Sequence, residues 1–284
     1  MQLEVYGLDR KNINEAIVRT GSLVAIPSDL RIYLIRGSYN KAIKSLPKEV
    51  RGDIKILSKK GSFSYSFKKQ DLIFIQLSDR EYLLRNKKAL IGLLLHEIMH
   101  TIQRKKRLDK QLKKSYSKFY LSRFPLLKKL DYNKKSLVNL FSYVGDTSVL
   151  LVKELYTNTE IINKGLSDYL IEYYKEEFTK TRTCPKPVFY EKFKKAARKD
   201  INIVRDVFEF EFALLGFILP LKKLKNKKVK SLINHVHSCY EINIEEIARK
   251  CKEITFIYEK DFGSKTFQKE FFEGVFFKVY DLLK

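Results

Sequence analysis

The segment His96–Glu97–Ile98–Met99–His100 constrains this chain more than any other, because it places the pattern H-E-x-x-H inside an apolar run. Apolar residues recur around it at helical spacing, which predicts a helix from Asp79 to about Arg107, broken near Asn86. Residues four apart lie one turn apart on the same face of a helix. We therefore expect both imidazoles on one side of a helix that has a wide apolar face.

Two imidazoles at this spacing can bind a single metal ion, with zinc about 2.0–2.1 Å from each ring nitrogen. Glu97 projects beside the line of the histidines, where its carboxylate can accept a proton from a metal-activated water without binding the metal. The other histidines of the sequence, His235 and His237, are two residues apart in a predicted helix and point to different sides. The motif thus predicts one zinc ion per chain, bound by His96 and His100.

A catalytic zinc site needs a third protein ligand and leaves one position for water. The predicted helix from Ser136 to about Lys164 offers acidic candidates, and among them Glu154 has three leucines as neighbours. A carboxylate on a buried helix stripe is costly unless it is paired or bound to a metal. We therefore predict Glu154 as the third ligand, with Asp146 and Glu160 as alternatives.

Strand patterns precede the motif, and helix patterns follow it. Short runs of β-branched and aromatic residues between turn signals predict strands at Arg31–Ile35, Asp53–Leu57, Ser62–Phe67 and Asp71–Leu77. Helical periodicity predicts further helices at about Ser38–Leu46, Ser136–Lys164, Leu166–Lys180, Asp200–Leu219, Val229–Tyr240, Ile244–Tyr258 and Lys265–Leu283. Strands followed by helices are typical of the α+β class.

Local signals also indicate helix ends and a domain division. Ser78 and Glu81 fit an S-x-x-E capping box at the start of the motif helix, and Gly165 is a candidate C-cap. The segment Cys184–Pro187 interrupts the helical patterns. We expect residues 1–180 to form the core that carries the motif and residues 181–284 to form a helical subdomain, packed with the core or separate from it.

The composition excludes several classes of protein. The chain is 44% hydrophobic, which is too apolar for a disordered protein, and its three cysteines include no C-x-x-C pair that would indicate a disulfide framework. The charged N-terminus is unlike a signal peptide. The apolar stretch from Val207 to Leu221 contains two glutamates and is shorter than the roughly 20 residues of a membrane span. These features predict a cytoplasmic protein without a membrane span.

The strand-to-helix order and the motif at His96–His100 resemble the zincin metallopeptidases, and a glutamate on a later helix makes the chain similar to their gluzincin branch. The small single-domain minigluzincins are the closest analogy in architecture. The resemblance covers roughly residues 30–165 and implies a mixed β-sheet before the active-site helix, with His96, His100 and Glu154 as zinc ligands and Glu97 as general base. The sequence departs from the family at Asn158, where an acidic residue often follows the ligand glutamate by one turn.

Under this resemblance the protein is expected to be a zinc metallopeptidase that acts on peptides or proteins. Glu97 would accept a proton from the zinc-activated water and pass it to the leaving amine. Tyr156 and His237 are both candidates for stabilising the oxyanion. The strand Asp71–Leu77 precedes the active-site helix, and zincin architecture implies that an extended substrate pairs with it as an edge strand.

The charge of the chain supports a different hypothesis. The formal net charge is +24, and the basic run Arg104–Arg107 directly follows the motif. Aromatic residues alternate with the lysines beyond this run, at Tyr116, Phe119 and Tyr120, and a second basic segment spans Lys222–Lys230. Such segments can follow a phosphate backbone while aromatic rings stack on bases. The alternative is therefore a nucleic-acid-binding protein with a structural or vestigial metal site. A peptidase whose basic surface attracts acidic partners or nucleic acid combines both hypotheses.

Overall fold

The computed structural model of the chain contains two compact units. The first unit consists of Met1–Lys106 and Glu160–Lys180, and the second consists of Arg107–Thr159 and Thr181–Lys284. The sequence-based division at residue 180 stays a prediction. The structure describes residues 2–6, 8, 10–37, 43–44, 48, 51–52, 62–67, 70–78, 80–130, 132–180, 215–217, 219–224, 226–240 and 265–283.

The first unit combines a sheet with helices. Its strands are β1 (Gln2–Tyr6), β2 (Leu30–Ile35), β3 (Ser62–Phe67) and β4 (Gln70–Gln76). Its helices are α1 (Arg10–Leu23), α2 (Glu81–Arg85), α3 (Lys87–Lys105), the last four residues of α5 (Lys134–Asn163) and α6 (Ser167–Lys180).

The sheet is mixed and has the strand order β1-β2-β4-β3. Strands β1, β2 and β4 run parallel, and β3 runs antiparallel to β4. The two central strands, β2 and β4, are buried along most of their length, because successive side chains point to opposite faces and both faces are covered. Tyr33 and Phe74 face each other across the two strands, and their rings stack with centroids 4.6 Å apart.

Helix α3 carries the H-E-x-x-H motif through the interior of the first unit. Every residue from Ala89 to Thr101 is buried, which is expected for Ala89–Leu95, where the helix is apolar on all sides. The side chain of Asn86 accepts a hydrogen bond from the amide of Ala89 and so caps the start of the helix. Helix α3 contacts α1, α6 and the strands β3 and β4.

Gly92 allows α3 and α6 to approach closely. A Cβ atom at this position would lie 2.2 Å from the carbonyl oxygen of Tyr169 and 2.8 Å from Cβ of Tyr173. Gly92 also lies one helical turn before His96, on the same face of α3. The missing side chain therefore lets α6 pack against the face of α3 that carries the histidines.

We expect Gly92→Ala to destabilise the protein by about 1–3 kcal/mol, because the new methyl group would overlap a backbone oxygen. Gly21→Ala in α1 is the matched control, since the nearest atom to its new methyl group would be Cδ1 of Ile26 at 3.4 Å. The higher helix propensity of alanine should make that control neutral or more stable, by up to about 1 kcal/mol. Denaturant unfolding midpoints measure both effects, and an equal loss in the two variants would contradict the close-packing explanation.

The second unit is helical wherever its secondary structure is described. Besides most of α5, it contains α4 (Leu108–Leu127), α7 (Lys227–Tyr240) and α8 (Lys265–Leu283). Aromatic side chains of α4, α5 and α8 form its core: the ring of Tyr116 packs edge-on against Phe272, and its hydroxyl donates to the carbonyl of Phe141. An ion pair between Arg123 and Glu273 also links α4 to α8.

Most predicted elements that fall on described residues are confirmed. The predicted strands at Arg31–Ile35, Ser62–Phe67 and Asp71–Leu77 correspond to β2, β3 and β4. The break near Asn86 separates α2 from α3, and the other predicted helices correspond to α5, α6, α7 and α8. Gly165 has the positive φ of 72° that a C-cap glycine adopts after α5. The chain thus combines a mixed four-stranded sheet with a mainly helical remainder.

Several predictions fall outside the described residues. They are the strand Asp53–Leu57, the helix Ile244–Tyr258, the break Cys184–Pro187, and most of the helices Ser38–Leu46 and Asp200–Leu219.

Two predictions about the region before the motif are wrong. The capping box does not form: the hydroxyl of Ser78 accepts from the backbone amide of Gly37, and Glu81 pairs with Arg36. The strand predicted at Asp71–Leu77 is not an edge strand, because it pairs with β2 on one side and β3 on the other. In both cases the partner is distant in sequence: Gly37 and Arg36 bind the two capping residues, and β2 pairs with β4.

Candidate metal centre

His96 and His100 are buried on successive turns of α3, with exposed fractions of 5% and 6%. Their Nε2 atoms lie 3.1 Å apart, and their ring planes are nearly perpendicular. Two nitrogens bound tetrahedrally to one zinc ion at 2.0–2.1 Å would be separated by about 3.3 Å. The two imidazoles therefore converge on one point at a spacing that suits a shared ion.

The other ring nitrogen of each histidine has a buried polar partner. Nδ1 of His100 lies 3.4 Å from Oε1 of Gln103. In the tautomer that carries its proton on Nδ1, His100 donates to that oxygen and keeps the lone pair of Nε2 for a metal. Nδ1 of His96 lies 3.5 Å from the hydroxyl of Tyr174. Both rings thus present Nε2 to the shared point.

Glu97 is the third buried ionisable residue of the motif, with an exposed fraction of 4%. It follows His96 by one residue and so projects about 100° away around the helix axis. A glutamate this deeply buried is uncommon and costly unless a nearby positive charge offsets it. The position is the one that the sequence analysis assigns to a general base.

Arg80 and Glu177 form a half-buried ion pair close to Glu97. Nη2 of Arg80 lies 3.3 Å from Oε2 of Glu177. Burial alone would lower the pKa of Arg80, but Tyr173, Glu177 and Glu97 are among the groups that raise it above its usual value. This effect requires the guanidinium to lie within electrostatic range of Glu97. The motif carboxylate therefore has a cation in its surroundings.

Glu177 also accepts a hydrogen bond from Tyr82, whose hydroxyl lies 2.9 Å from Oε1. Burial raises the pKa of Glu177, and the charge of Arg80 and the hydrogen bond from Tyr82 oppose that rise. Burial and the charge of Glu177 raise the pKa of Tyr82 above its usual range, so its hydroxyl remains a donor. These contacts attach α6 to the residues that precede α3.

Glu154 lies half-buried on α5. One ligand atom from each of His96, His100 and Glu154 lies within 4.8 Å of the other two. The alternatives do not join this group: Asp146 forms an exposed ion pair with Lys113 at 2.9 Å, and Glu160 contributes no ligand atom. Among the described residues, no other group of three or more histidine, cysteine, aspartate or glutamate side chains has a spacing that could hold a metal ion.

Asn158, one turn after Glu154, is fully buried. Its side-chain amide donates to the carbonyl of Gly216 at 2.8 Å. Under the resemblance to gluzincins, Asn158 stands where an acidic residue often follows the ligand glutamate. The asparagine instead binds a backbone carbonyl of the C-terminal region.

The choice of Tyr156 or His237 as the oxyanion donor stays a prediction. Tyr156 follows Glu154 by two residues, so it projects from a different side of α5. The side chain of His237 lies outside the described part of the chain, and His235 is half-buried on α7.

Sequence reasoning missed two tyrosines of α6 that lie beside His96. The ring centroids of Tyr173 and Tyr174 are 6.0 Å and 6.3 Å from that of His96, and both side chains are buried. A signal for them exists in the helical spacing of a mostly buried face, formed by Leu170, Tyr173, Tyr174, Glu177 and Phe178. Hydroxyl and carboxylate groups on a mostly buried face predict that polar side chains of another element lie against it.

Two residues of the basic segment after the motif form hydrogen bonds within the chain. Arg104 donates to Ser64 and Lys105 to Asp29. Tyr116 has an exposed fraction of 8%, and Phe119 and Tyr120 pack on aromatic rings of the second unit. These aromatic rings are therefore poorly placed for stacking on nucleic-acid bases.

Comparison of the chain with protein-family models, with curated proteins and with solved structures gives no match. Within the described residues, no helix combines the length and the apolar character that crossing a membrane requires.

Proposed function

We propose that this chain is a zinc-dependent peptidase of the zincin type, with His96, His100 and Glu154 as metal ligands. The observation that carries the proposal is the convergence of two buried Nε2 atoms, 3.1 Å apart, next to a buried glutamate. Buried imidazoles and carboxylates are costly to a fold unless they are paired or bind a metal. Their concentration on one buried helix segment therefore favours function over packing.

The donor set fits zinc better than the other common metals. Zinc accepts imidazole nitrogen and carboxylate oxygen, and three protein ligands leave a position for water in catalytic sites. Calcium and magnesium prefer ligand sets made of oxygen alone. The contacts of Gln103 and Tyr174 with Nδ1 atoms are of the kind that orient histidine ligands in metal sites.

The residues around the histidines support peptide hydrolysis. When bound, zinc would supply acidification of a water molecule and polarisation of the scissile carbonyl. Glu97 accepts a proton from the attacking water and donates it to the nitrogen of the leaving amine. Tyr173, close to both His96 and Arg80, is our candidate donor to the developing oxyanion.

The substrate strand is reassigned from β4 to β3. Among the described strands, β3 pairs on one side only, and it contacts the motif helix α3. We propose that an extended peptide adds to β3 through backbone hydrogen bonds. Peptide and protein substrates remain the proposed partners.

Glu154→Gln is expected to weaken zinc binding by at least about 100-fold, because losing a ligand exceeds the 10–100-fold loss typical of residues that only support ligands. Glu160→Gln, on the same helix but outside the ligand group, is the matched control and should bind zinc as the parent does. Competition with a fluorescent chelator measures both affinities. Unchanged affinity in the Glu154 variant, or an equal loss in the Glu160 variant, would contradict the ligand assignment.

The nucleic-acid hypothesis and the cytoplasmic location stay predictions. The nucleic-acid hypothesis has no specific support from the aromatic residues of α4, because Tyr116 is buried and Phe119 packs on Phe276.

A further inference from the structure

Gly216 lies against the proposed third ligand. A Cβ atom at residue 216 would be 2.8 Å from Cβ of Glu154, 3.5 Å from its Cγ, and 3.4 Å from Cδ1 of Leu151. Gly216 is buried, and residues 215–217 are helical. Its φ is outside the left-handed region, so the backbone conformation alone does not require glycine. What the position requires is the absence of a side chain next to Glu154.

A hydrogen bond fixes the same segment one turn further along α5. The side-chain amide of Asn158 donates to the carbonyl of Gly216 at 2.8 Å, and Asn158 is fully buried. Glu154 and Asn158 lie on one face of α5 because they are four residues apart. Residue 216 is therefore close to α5 at both positions: its Cα approaches Glu154 because it carries no side chain, and its carbonyl oxygen accepts a hydrogen bond from Asn158.

We propose that Gly216 is a positioning residue that sets where the carboxylate of Glu154 lies, and that the C-terminal region thereby contributes to zinc affinity. The inference rests on the proposed function, since it takes Glu154 to be a zinc ligand. The Cβ of Glu154 belongs to a rigid helix, so a methyl group at residue 216 must push the two backbones apart by about 1 Å. Metal–ligand distances tolerate only about 0.2 Å.

Gly216→Ala is expected to weaken zinc binding about 10–100-fold, as is typical when the support of a ligand is disturbed. Asn158→Ala removes the hydrogen bond without introducing a clash, and it should weaken binding several-fold in the same direction. Gly145→Ala is the matched control. Gly145 is also on α5 but away from Glu154, and a methyl group there would lie 2.1 Å from the ring of Tyr116. Zinc affinity is measured by chelator competition on the full chain, well below the unfolding temperature of each variant.

The outcomes separate this inference from the proposed function. Parent protein that fails to bind zinc would overturn both. Parent protein that binds zinc, with Gly216→Ala binding equally tightly or Gly145→Ala losing as much affinity, would overturn only the positioning role. If Gly216→Ala does not fold, Asn158→Ala decides: weakened binding supports the role of residue 216, and unchanged binding refutes it.

Discussion

Glu97→Gln is expected to keep the zinc affinity of the parent and to lower peptide hydrolysis by about 10²–10⁴-fold, the usual contribution of a general base. The amide has nearly the shape of the carboxylate, but it cannot accept the proton of the attacking water. Zinc binding should be unaffected because Glu97 is not part of the ligand group. Zinc content is measured by atomic absorption, and hydrolysis is measured with fluorescein-labelled casein at saturating zinc.

Glu15→Gln is the control for this experiment, because Glu15 is an exposed glutamate paired with Lys87 on the surface of the first unit. It should leave both zinc content and hydrolysis unchanged. Full turnover in the Glu97 variant would remove Glu97 from the mechanism. Loss of zinc from that variant would show that the carboxylate binds or positions the metal, and this result would also contradict our assignment.

Much of the fold is predictable because its strongest signals are local. Helices α3 and α5 and the strand β4 have long periodic or apolar patterns that do not depend on distant partners. The sequence analysis did not predict β1 or α1, whose patterns are interrupted by charged and polar residues. Strand β1 is stabilised by pairing with β2, and that pairing cannot be seen in five residues of sequence.

The candidate site divides in the same way. His96, Glu97 and His100 are recognisable from spacing alone, since one helix fixes their mutual arrangement. Glu154 could be selected because a carboxylate in a leucine-rich stripe is unusual.

The remaining contacts depend on how helices pack against each other. Tyr173 and Tyr174 lie beside His96 because Gly92 lets α6 approach α3, and no local pattern states which helices will meet. Gly216 is a similar case: a single glycine in an apolar run can mark a close backbone approach, but the sequence does not name the partner.

Zinc is expected to raise the thermal midpoint of the parent by on the order of 10 °C and to have no such effect on His96→Ala or His100→Ala. At a zinc concentration 1,000-fold above Kd, binding stabilises the folded state by about 4 kcal/mol. Each kcal/mol corresponds to about 2–4 °C in a chain of this size. Each substitution removes one of the two converging Nε2 atoms, leaving too few ligands for tight binding. Scanning calorimetry with zinc and with chelator measures the difference.

The same melting curves distinguish a metal site from a purely structural pair of histidines. If the 3.1 Å contact were only a hydrogen bond between buried rings, zinc would not stabilise the parent, and either alanine variant would melt lower even with chelator. If the rings are arranged for a cation, zinc raises the midpoint of the parent, and removing either ring abolishes that rise. His235→Ala, on α7 and outside the ligand group, should retain the zinc-dependent rise. A parent protein that melts at the same temperature with and without zinc would therefore refute the metal centre itself.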